Sequence, residues 1–242
     1  MIYITGDTHR NHDTAKLFPG SFPDGKGLSM DDYVIITGDF GGIWYGDKRD
    51  DATLEFYEEK KYMVLFVDGN HENFDALNKY PISEWNGGKV HKIRDNIFHL
   101  MRGQVFEIDS KKFFTFGGGV SIDKAMRMPY VSWWPQEEAS YEEINEALDN
   151  LEKHKNKVDY VITHAAPESI VRNELCQIHT LMKVDCTTEK FLNEIYHNLE
   201  FKMWFCGHYH MDAWIKSCKM QVLYHQIIKL APGYPIASRR IF

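Results

Sequence analysis

Short, near-continuous apolar runs recur along the chain, and each stops at the same kind of residue. Ile2-Tyr3-Ile4, Tyr33-Val34-Ile35-Ile36 and Met63-Val64-Leu65-Phe66-Val67 end within a residue or two of Gly6-Asp7, Gly38-Asp39 and Asp68-Gly69. Tyr160-Val161-Ile162 leads into Thr163-His164, and Met203-Trp204-Phe205-Cys206 into Gly207-His208. Apolar runs without alternation, bounded by turn residues, predict strands buried on both faces, as in a sheet covered by helices. Helical signals lie between them. Ser140-Tyr141-Glu142-Glu143 is a capping box, in which the Ser hydroxyl accepts from the third helical N–H and the Glu reaches back. Ile144, Ala147, Leu148 and Leu151 follow at helical spacing, Phe191, Leu192, Ile195, Tyr196 and Leu199 form a second stripe, and Asp51 to Tyr62 reads as a third helix. From Lys89 to Gly119, and again from Trp214 to Leu230, the texture is that of consecutive short strands. The sum is an α/β chain in which two packed mixed β-sheets form a β-sandwich flanked by α-helices. With no linker and no repeat, it reads as one domain over residues 1–242. The stretch from Gly119 to Pro135 lacks periodicity and holds Met126, Met128, Tyr130, Trp133 and Trp134; it is either a packed surface cover or an active-site lid.

Composition narrows the function classes. The 242 residues are 43% hydrophobic and 26% charged, the balance of an ordinary globular protein, which excludes disorder, collagen-like repeats and a coiled coil. No apolar run approaches the roughly 20 residues that span a bilayer, so no membrane partner is expected. The N-terminal Met1-Ile2-Tyr3-Ile4 has neither a basic region nor a long apolar stretch, and the expected compartment is the cytoplasm. Lys and Arg number 28 against 35 Asp and Glu, a net charge of -7, which repels polyphosphate backbones. The basic clusters Lys60-Lys61, Lys111-Lys112 and Arg239-Arg240 are too short for a nucleic-acid track, and nucleic acid is disfavoured as a partner. Cys176, Cys186, Cys206 and Cys218 contain no C-x-x-C pair and read as reduced, buried thiols.

The ends of the apolar runs repeatedly deliver metal-ligand residue types. Asp7-Thr8-His9 follows the first, Asp39 the second and Asn70-His71-Glu72 the third; His164 and His208-Tyr209-His210 follow the later two. Ligands gather at the carboxyl ends of strands in such sheets, and packing alone does not explain five strand ends of this kind. Seven donors, Asp7, His9, Asp39, Asn70, His164, His208 and His210, exceed what one tetrahedral zinc needs and suit two cations. Carboxylate, amide and imidazole without thiolate favour Mn, Fe, Zn or Co. Asp7 and Asp39 are the carboxylates of the set, so one of them is the expected bridge. Arg10, directly after the first pair, is a candidate for binding a substrate phosphate, and Arg127 is a second of the same kind. Trp133 and Trp134 read either as a stacking platform or as a hydrophobic plug. His12, His91, His99, His154, His179 and His197 fall outside the pattern, and His225 reads as a structural residue in a late strand.

The series Gly6-Asp7-Thr8-His9, Gly38-Asp39, Gly69-Asn70-His71-Glu72, Thr163-His164 and Gly207-His208-Tyr209-His210 resembles, in type and order, the signature of the calcineurin-like metallophosphoesterases. The resemblance spans residues 6 to 210 and implies a metallophosphoesterase-like sandwich. Carried over residue by residue, it implies that Asp7, His9 and His210 hold one divalent metal ion. Asn70, His164 and His208 would hold the other, with Asp39 between them. Manganese is the expected metal, with Fe, Zn, Co and Ni as alternatives. It implies hydrolysis of a phosphomonoester or phosphodiester by metal-activated hydroxide, with His71 as the general acid and a small phosphorylated molecule as substrate. A nuclease, a mononuclear zinc hydrolase and a non-catalytic protein-binding scaffold that keeps the fold are the rival readings; the oligomeric state is left open. The sequence departs from the Gly-Asp-x-x-Asp of protein phosphatases, since Gly42 and Ile43 stand where an Asp and an Arg occur there. The Asp that orients the catalytic His is thus missing, and Asp75, Glu72 and Asp47 are the carboxylates open to replace it.

Overall fold

The computed structural model describes residues 1–175, 186–231 and the backbone of 235–237. Cys176, His179 and Arg239-Arg240 lie outside the described residues. The chain first lays down β1 (Ile2–Thr5), β2 (Tyr33–Ile36), β3 (Met63–Phe66), β4 (Ile82–Trp85), β5 (Gly88–Arg94) and β6 (Ile97–Leu100). It then builds a second sheet from β7 (Gln104–Ile108), β8 (Lys111–Phe116), β9 (Tyr160–Thr163), β10 (Met203–Cys206), β11 (Ala213–Ile215) and β12 (Met220–Val222). The chain returns to the first sheet with β13 (Ile227–Leu230) and β14 (Pro235–Ala237). Among the described residues the strand orders are β14-β13-β1-β2-β3-β6-β5-β4 and β11-β12-β10-β9-β8-β7. The sandwich of mixed sheets expected from the sequence is the observed fold.

The absence of alternation in the strand sequences has a direct cause: both faces of each central strand are covered. Ile2, Ile4, Ile35, Leu65, Ile162 and Phe205 pack in the core between the sheets. The intervening Tyr3, Val34, Ile36, Val64 and Phe66 point the other way and pack with Leu54 and Tyr57 of helix α1 (Asp51–Glu58). On the opposite side, Val161, Trp204 and Cys206 pack with helices that cover the second sheet. One of these carries the capping box: Glu143 N donates to Ser140 Oγ at 3.2 Å, and Ser140 N to Glu143 Oε2 at 2.8 Å. That helix, Tyr141–Lys153, buries Ala147 and Leu151, whereas Leu148 of the expected stripe is exposed. The other, Thr187–Asn198, buries Phe191, Leu192 and Ile195. The helix expected over Asp51–Tyr62 stops at Glu58. His225 sits exposed in a bend between β12 and β13, not within a strand.

The parallel pairing positions the site. β1, β2 and β3 run parallel in register, Thr5 beside Ile36 and Ile36 beside Phe66. β9 and β10 run parallel in the facing sheet, with Ile162 beside Phe205. Their carboxyl ends therefore open along the same edge of the sandwich, the place where α/β sheets collect ligands.

Candidate metal centre

The loops leaving β1, β2, β3, β9 and β10 bring all seven donors into one cluster. Asp7, His9, Asp39 and His210 each offer an atom within 4.8 Å of the others. His9 Nε2 is 3.1 Å from Asp39 Oδ2, and His210 Nε2 is 3.4 Å from Asp7 Oδ2. Beside this group, His164 Nε2 lies 3.0 Å from Asn70 Oδ1, 3.2 Å from His208 Nδ1 and 3.4 Å from Asp39 Oδ1. Asp39 thus presents one oxygen to each half of the cluster. Oxygen and imidazole nitrogen at this spacing, without thiolate, suit divalent first-row cations.

The backbone is bent to achieve this. His9, Asp39, His208 and His210 have φ of 41°, 47°, 68° and 48°, the left-handed region that side chains other than glycine seldom adopt. Non-glycine residues persist there only where the surroundings over-determine them, and such residues gather at functional sites. The glycines before Asp39, Asn70 and His208 clear space for a candidate donor from another strand. A Cβ on Gly69 would stand 2.1 Å from Asp39 Oδ1, and a Cβ on Gly207 would stand 2.1 Å from Asp7 Oδ1. These two glycines are there for close approach. Gly207→Ala is expected to displace the Asp7 carboxylate and weaken cation binding by at least the roughly 10–100-fold lost with an outer partner of a ligand; metal analysis after dialysis measures it.

Electrostatics tie the cluster together. Asp7 and Asp39 are fully buried, and the ionisable groups at their oxygens are imidazoles. Burial works against charge on His9 and His164. The carboxylate of Asp39, with Asp7 behind it, outweighs that and lifts both to about 9. His208 is driven down to about 3 by burial and by neighbouring His164. A cation entering must replace the protons that the carboxylates draw onto His9 and His164, so metal loading releases protons and strengthens as pH rises toward 9. Proton release on titrating Mn²⁺ into the metal-free chain in two buffers of different ionisation enthalpy checks the sign.

Several functional neighbours escaped sequence reasoning. His9 Nδ1 is held by Asp13 Oδ2 at 2.7 Å, and His164 Nδ1 by the Thr37 carbonyl at 2.9 Å. Outer partners of this kind fix the ring and aim the other nitrogen inward. Asp13 stands four residues after His9, a spacing that hints at the pair; nothing in the sequence points to Thr37. Tyr224 stacks on His210 at 4.8 Å and donates to Asp13 Oδ1 at 3.1 Å. Buried Lys16 donates to the carbonyls of Gly6 at 3.1 Å, of Asp7 at 2.5 Å and of Tyr224, tying the first ligand loop to the β12–β13 connection.

His71 and Arg127 line the pocket at the cluster, whereas Arg10 does not. None of Asp75, Glu72 and Asp47 orients His71, because each is engaged elsewhere. Asp75 accepts from Trp134 Nε1, Glu72 from the Gly41 N–H, and Asp47 pairs with Arg49. His71 instead donates its backbone N–H to Asp39 Oδ1 at 2.8 Å, and its ring stacks on Trp44 at 6.4 Å. Both ring nitrogens face the Arg127 guanidinium, at 3.1 and 3.2 Å. Arg10 turns away: it donates to the Arg49 carbonyl and to Thr53 and lies over the Tyr45 ring. The described pocket at the cluster, about 360 Å³, is lined by Asp39, Asn70, His71, Ser121, Ile122 and Arg127 among others, and Arg10 is not part of its wall. The aperiodic Gly119–Pro135 stretch divides its roles: Trp134 is a buried plug, while residues 120–123 and Arg127 form a pocket wall.

Compared with known proteins, residues 1–212 match the family model of the calcineurin-like phosphoesterases. The chain belongs to that family. The divalent metal that the family implies has a fitting donor cluster here. No curated protein matches the chain. Among solved structures, it is similar to a Staphylococcus aureus protein described as a 5'-nucleotidase, in complex with alpha-ketoglutarate. The identity there is 14% and the TM-score 0.46, over 98% of this chain and 52% of that one. It is also similar to the phosphopantetheinyl hydrolase PptH of Mycobacterium tuberculosis, at 13% identity and TM-score 0.41, over 92% of this chain and 87% of that one. A third is the Thermus thermophilus sulfate thiohydrolase SoxB in complex with glycerol, at 12% and 0.42, over 90% and 39%. The phosphoesterase chain thus spans about half the length of the first of these. Among the described residues no helix is long and apolar enough to cross a membrane.

Proposed function

We propose that the chain is a dinuclear phosphoesterase that hydrolyses a small phosphorylated molecule, a phosphomonoester or phosphodiester. The observation that carries the reading is the convergence of seven oxygen and imidazole donors in two adjoining groups that share Asp39. Asp7, His9 and His210 would hold one cation, Asn70, His164 and His208 the other, and Asp39 both. Manganese is the metal we favour for a set this rich in oxygen, with Fe, Zn, Co and Ni able to take the same donors. Bound there, divalent cations would supply a low-pKa water and neutralise charge on phosphoryl oxygens. The pocket of about 360 Å³ suits a small molecule, and the net charge of -7 works against a nucleic-acid strand. Buried free thiols at Cys186, Cys206 and Cys218 fit a reducing compartment such as the cytoplasm.

The residues around the pocket divide the remaining work. Arg127, rather than Arg10, meets the substrate phosphate: its guanidinium lies beside His71 while Nε pairs with Asp123 at 2.8 Å. His71 donates the proton to the leaving alkoxide. Burial holds its pKa below the usual histidine value, and the Arg127 charge adds to this. A phosphate settling between the two replaces that repulsion with attraction and returns the ring toward its protonated form.

His71→Ala is expected to lower turnover about 10²–10⁴-fold with metal content unchanged; full activity in that variant would remove the acid role. Arg127→Ala is expected to raise KM about 10–100-fold, the loss of a charge-assisted hydrogen bond, with a smaller effect on kcat. The reading as a whole is tested by assaying protein loaded with Mn²⁺ on monoester, diester and nucleotide substrates. Silence on all three from a chain holding two metals would overturn it.

A further inference from the structure

We infer that Ser121, anchored by Glu137, is a positioning residue that fixes which end of the Asn70 amide faces the cations. The inference rests on the reading of Asn70 as a ligand. An asparagine side chain is nearly symmetric in shape but not in chemistry. Its oxygen can bind a cation, and its NH₂ cannot. Rotation by half a turn would present two N–H donors to the cluster and abolish that ligand. Something must therefore decide the orientation.

A chain of buried hydrogen bonds makes the decision. Asn70 Nδ2 donates to Ser121 Oγ at 3.1 Å, and Ser121 Oγ donates to Glu137 Oε2 at 2.7 Å. Asn70, Ser121 and Glu137 are 5%, 4% and 0% exposed, so protein covers nearly all of the chain of bonds. The direction of the chain follows from donor arithmetic. A carboxylate can only accept, and a hydroxyl has a single proton. Glu137 takes that proton, so the hydroxyl can only accept from Asn70. The side of Asn70 that faces Ser121 must then be NH₂, which leaves Oδ1 toward His164 Nε2 at 3.0 Å.

The anchor itself is well fixed. Glu137 Oε1 pairs with Lys124 Nζ at 2.7 Å and accepts from Ser121 N at 3.3 Å. The Glu137 carbonyl accepts from Gly119 N at 2.9 Å, and Arg102 grips the carbonyls on either side, Gln136 at 2.8 Å and Glu138 at 3.2 Å. The same stretch that builds the pocket wall therefore sets the chemistry of one ligand.

The test is a cycle of variants on the full chain, read by titration with Mn²⁺ and metal analysis. Ser121→Ala is expected to weaken the second Mn²⁺ about 10–100-fold, the usual cost of losing an outer partner, with the first unaffected. Glu137→Gln keeps the shape but can donate to Ser121, which frees the hydroxyl proton and permits the flipped amide; a weaker second Mn²⁺ is expected there too. In an Asn70→Asp background both ends of the side chain are oxygen, orientation loses its meaning, and Ser121→Ala is expected to change binding by less than about threefold. Equal losses in the natural chain and in the Asn70→Asp background would reduce Ser121 to a packing role and overturn the inference. So would an unchanged second Mn²⁺ in both Ser121→Ala and Glu137→Gln. A natural chain that takes up a single Mn²⁺ would sink the two-cation reading itself, a failure seen before any variant is made.

Discussion

Asp39→Asn is expected to strip the chain of its cations and, with them, nearly all turnover. The replacement is isosteric, so the room left by Gly69 still accommodates it. Its chemistry is what fails. Asp39 lies at His9 Nε2 through Oδ2 and at His164 Nε2 and the His71 N–H through Oδ1. An amide has one accepting end, so its NH₂ must face one of those imidazoles in place of an anion. Burial alone would push the Asp39 carboxyl upward, yet the His164 and His71 charges hold it well below the ordinary range, a measure of how strongly the site wants an anion there. Removing one partner of a buried charged group typically costs about 3–5 kcal/mol, which corresponds to roughly 10²–10⁴ in affinity. Metal analysis after dialysis against dilute Mn²⁺ should find less than one equivalent. Two tightly held metals in Asp39→Asn would remove the shared-ligand role.

Arg102→Met is expected to be the most destabilising single change away from the cluster. Arg102 is buried and donates to Asp68 Oδ2 from Nε at 2.9 Å and from a terminal nitrogen at 2.5 Å. It also reaches Glu143 at 3.1 Å, so one guanidinium joins the end of β3 to a helix over the second sheet. On the other side of Asp68, His99 Nε2 lies at 3.1 Å, and His99 meets His91 at 3.0 Å between their Nδ1 atoms. Methionine fills much of the volume but leaves the Asp68 charge buried without its main partner. The expected cost is about 3–5 kcal/mol, or a melting temperature lower by roughly 6–20 °C for a chain of this size. The pH dependence carries a sign. Burial would raise the Asp68 pKa, but Arg102 and His99 depress it. The natural chain therefore holds this stabilisation above the ordinary carboxylate pKa of about 3.9 and loses it as pH falls further, toward the depressed value. Arg102→Met should flatten that acid limb. An unchanged melting temperature across neutral and acid pH would show that the pair contributes nothing net.

Much of this was legible because the strands are covered on both faces. Runs such as Ile2-Tyr3-Ile4 and Tyr160-Val161-Ile162 are apolar throughout for that reason, and each could be read without knowing its partner. The candidate donors follow those runs directly, so types and order survive as a linear pattern. The helix ends were less legible. α1 stops at Glu58, the charged Glu59-Lys60-Lys61 follow, and Tyr62 packs in the same outer core without helical backbone. Leu148 keeps helical spacing yet faces outward, because periodicity gives a stripe and not its width.

The sequence by itself determined the covered sandwich and the phosphoesterase signature and offered the seven candidate donors, since each rests on residues close together in the chain or on strand ends that repeat one motif. The tertiary structure alone decided that Arg127 and not Arg10 stands beside His71, that Asp13 and Thr37 aim two imidazoles, and that Ser121, held by Glu137, meets Asn70. Those contacts join residues up to 127 positions apart through side-chain directions at a shared sheet edge. Local propensity encodes how a segment bends; it does not encode which distant segment it will face.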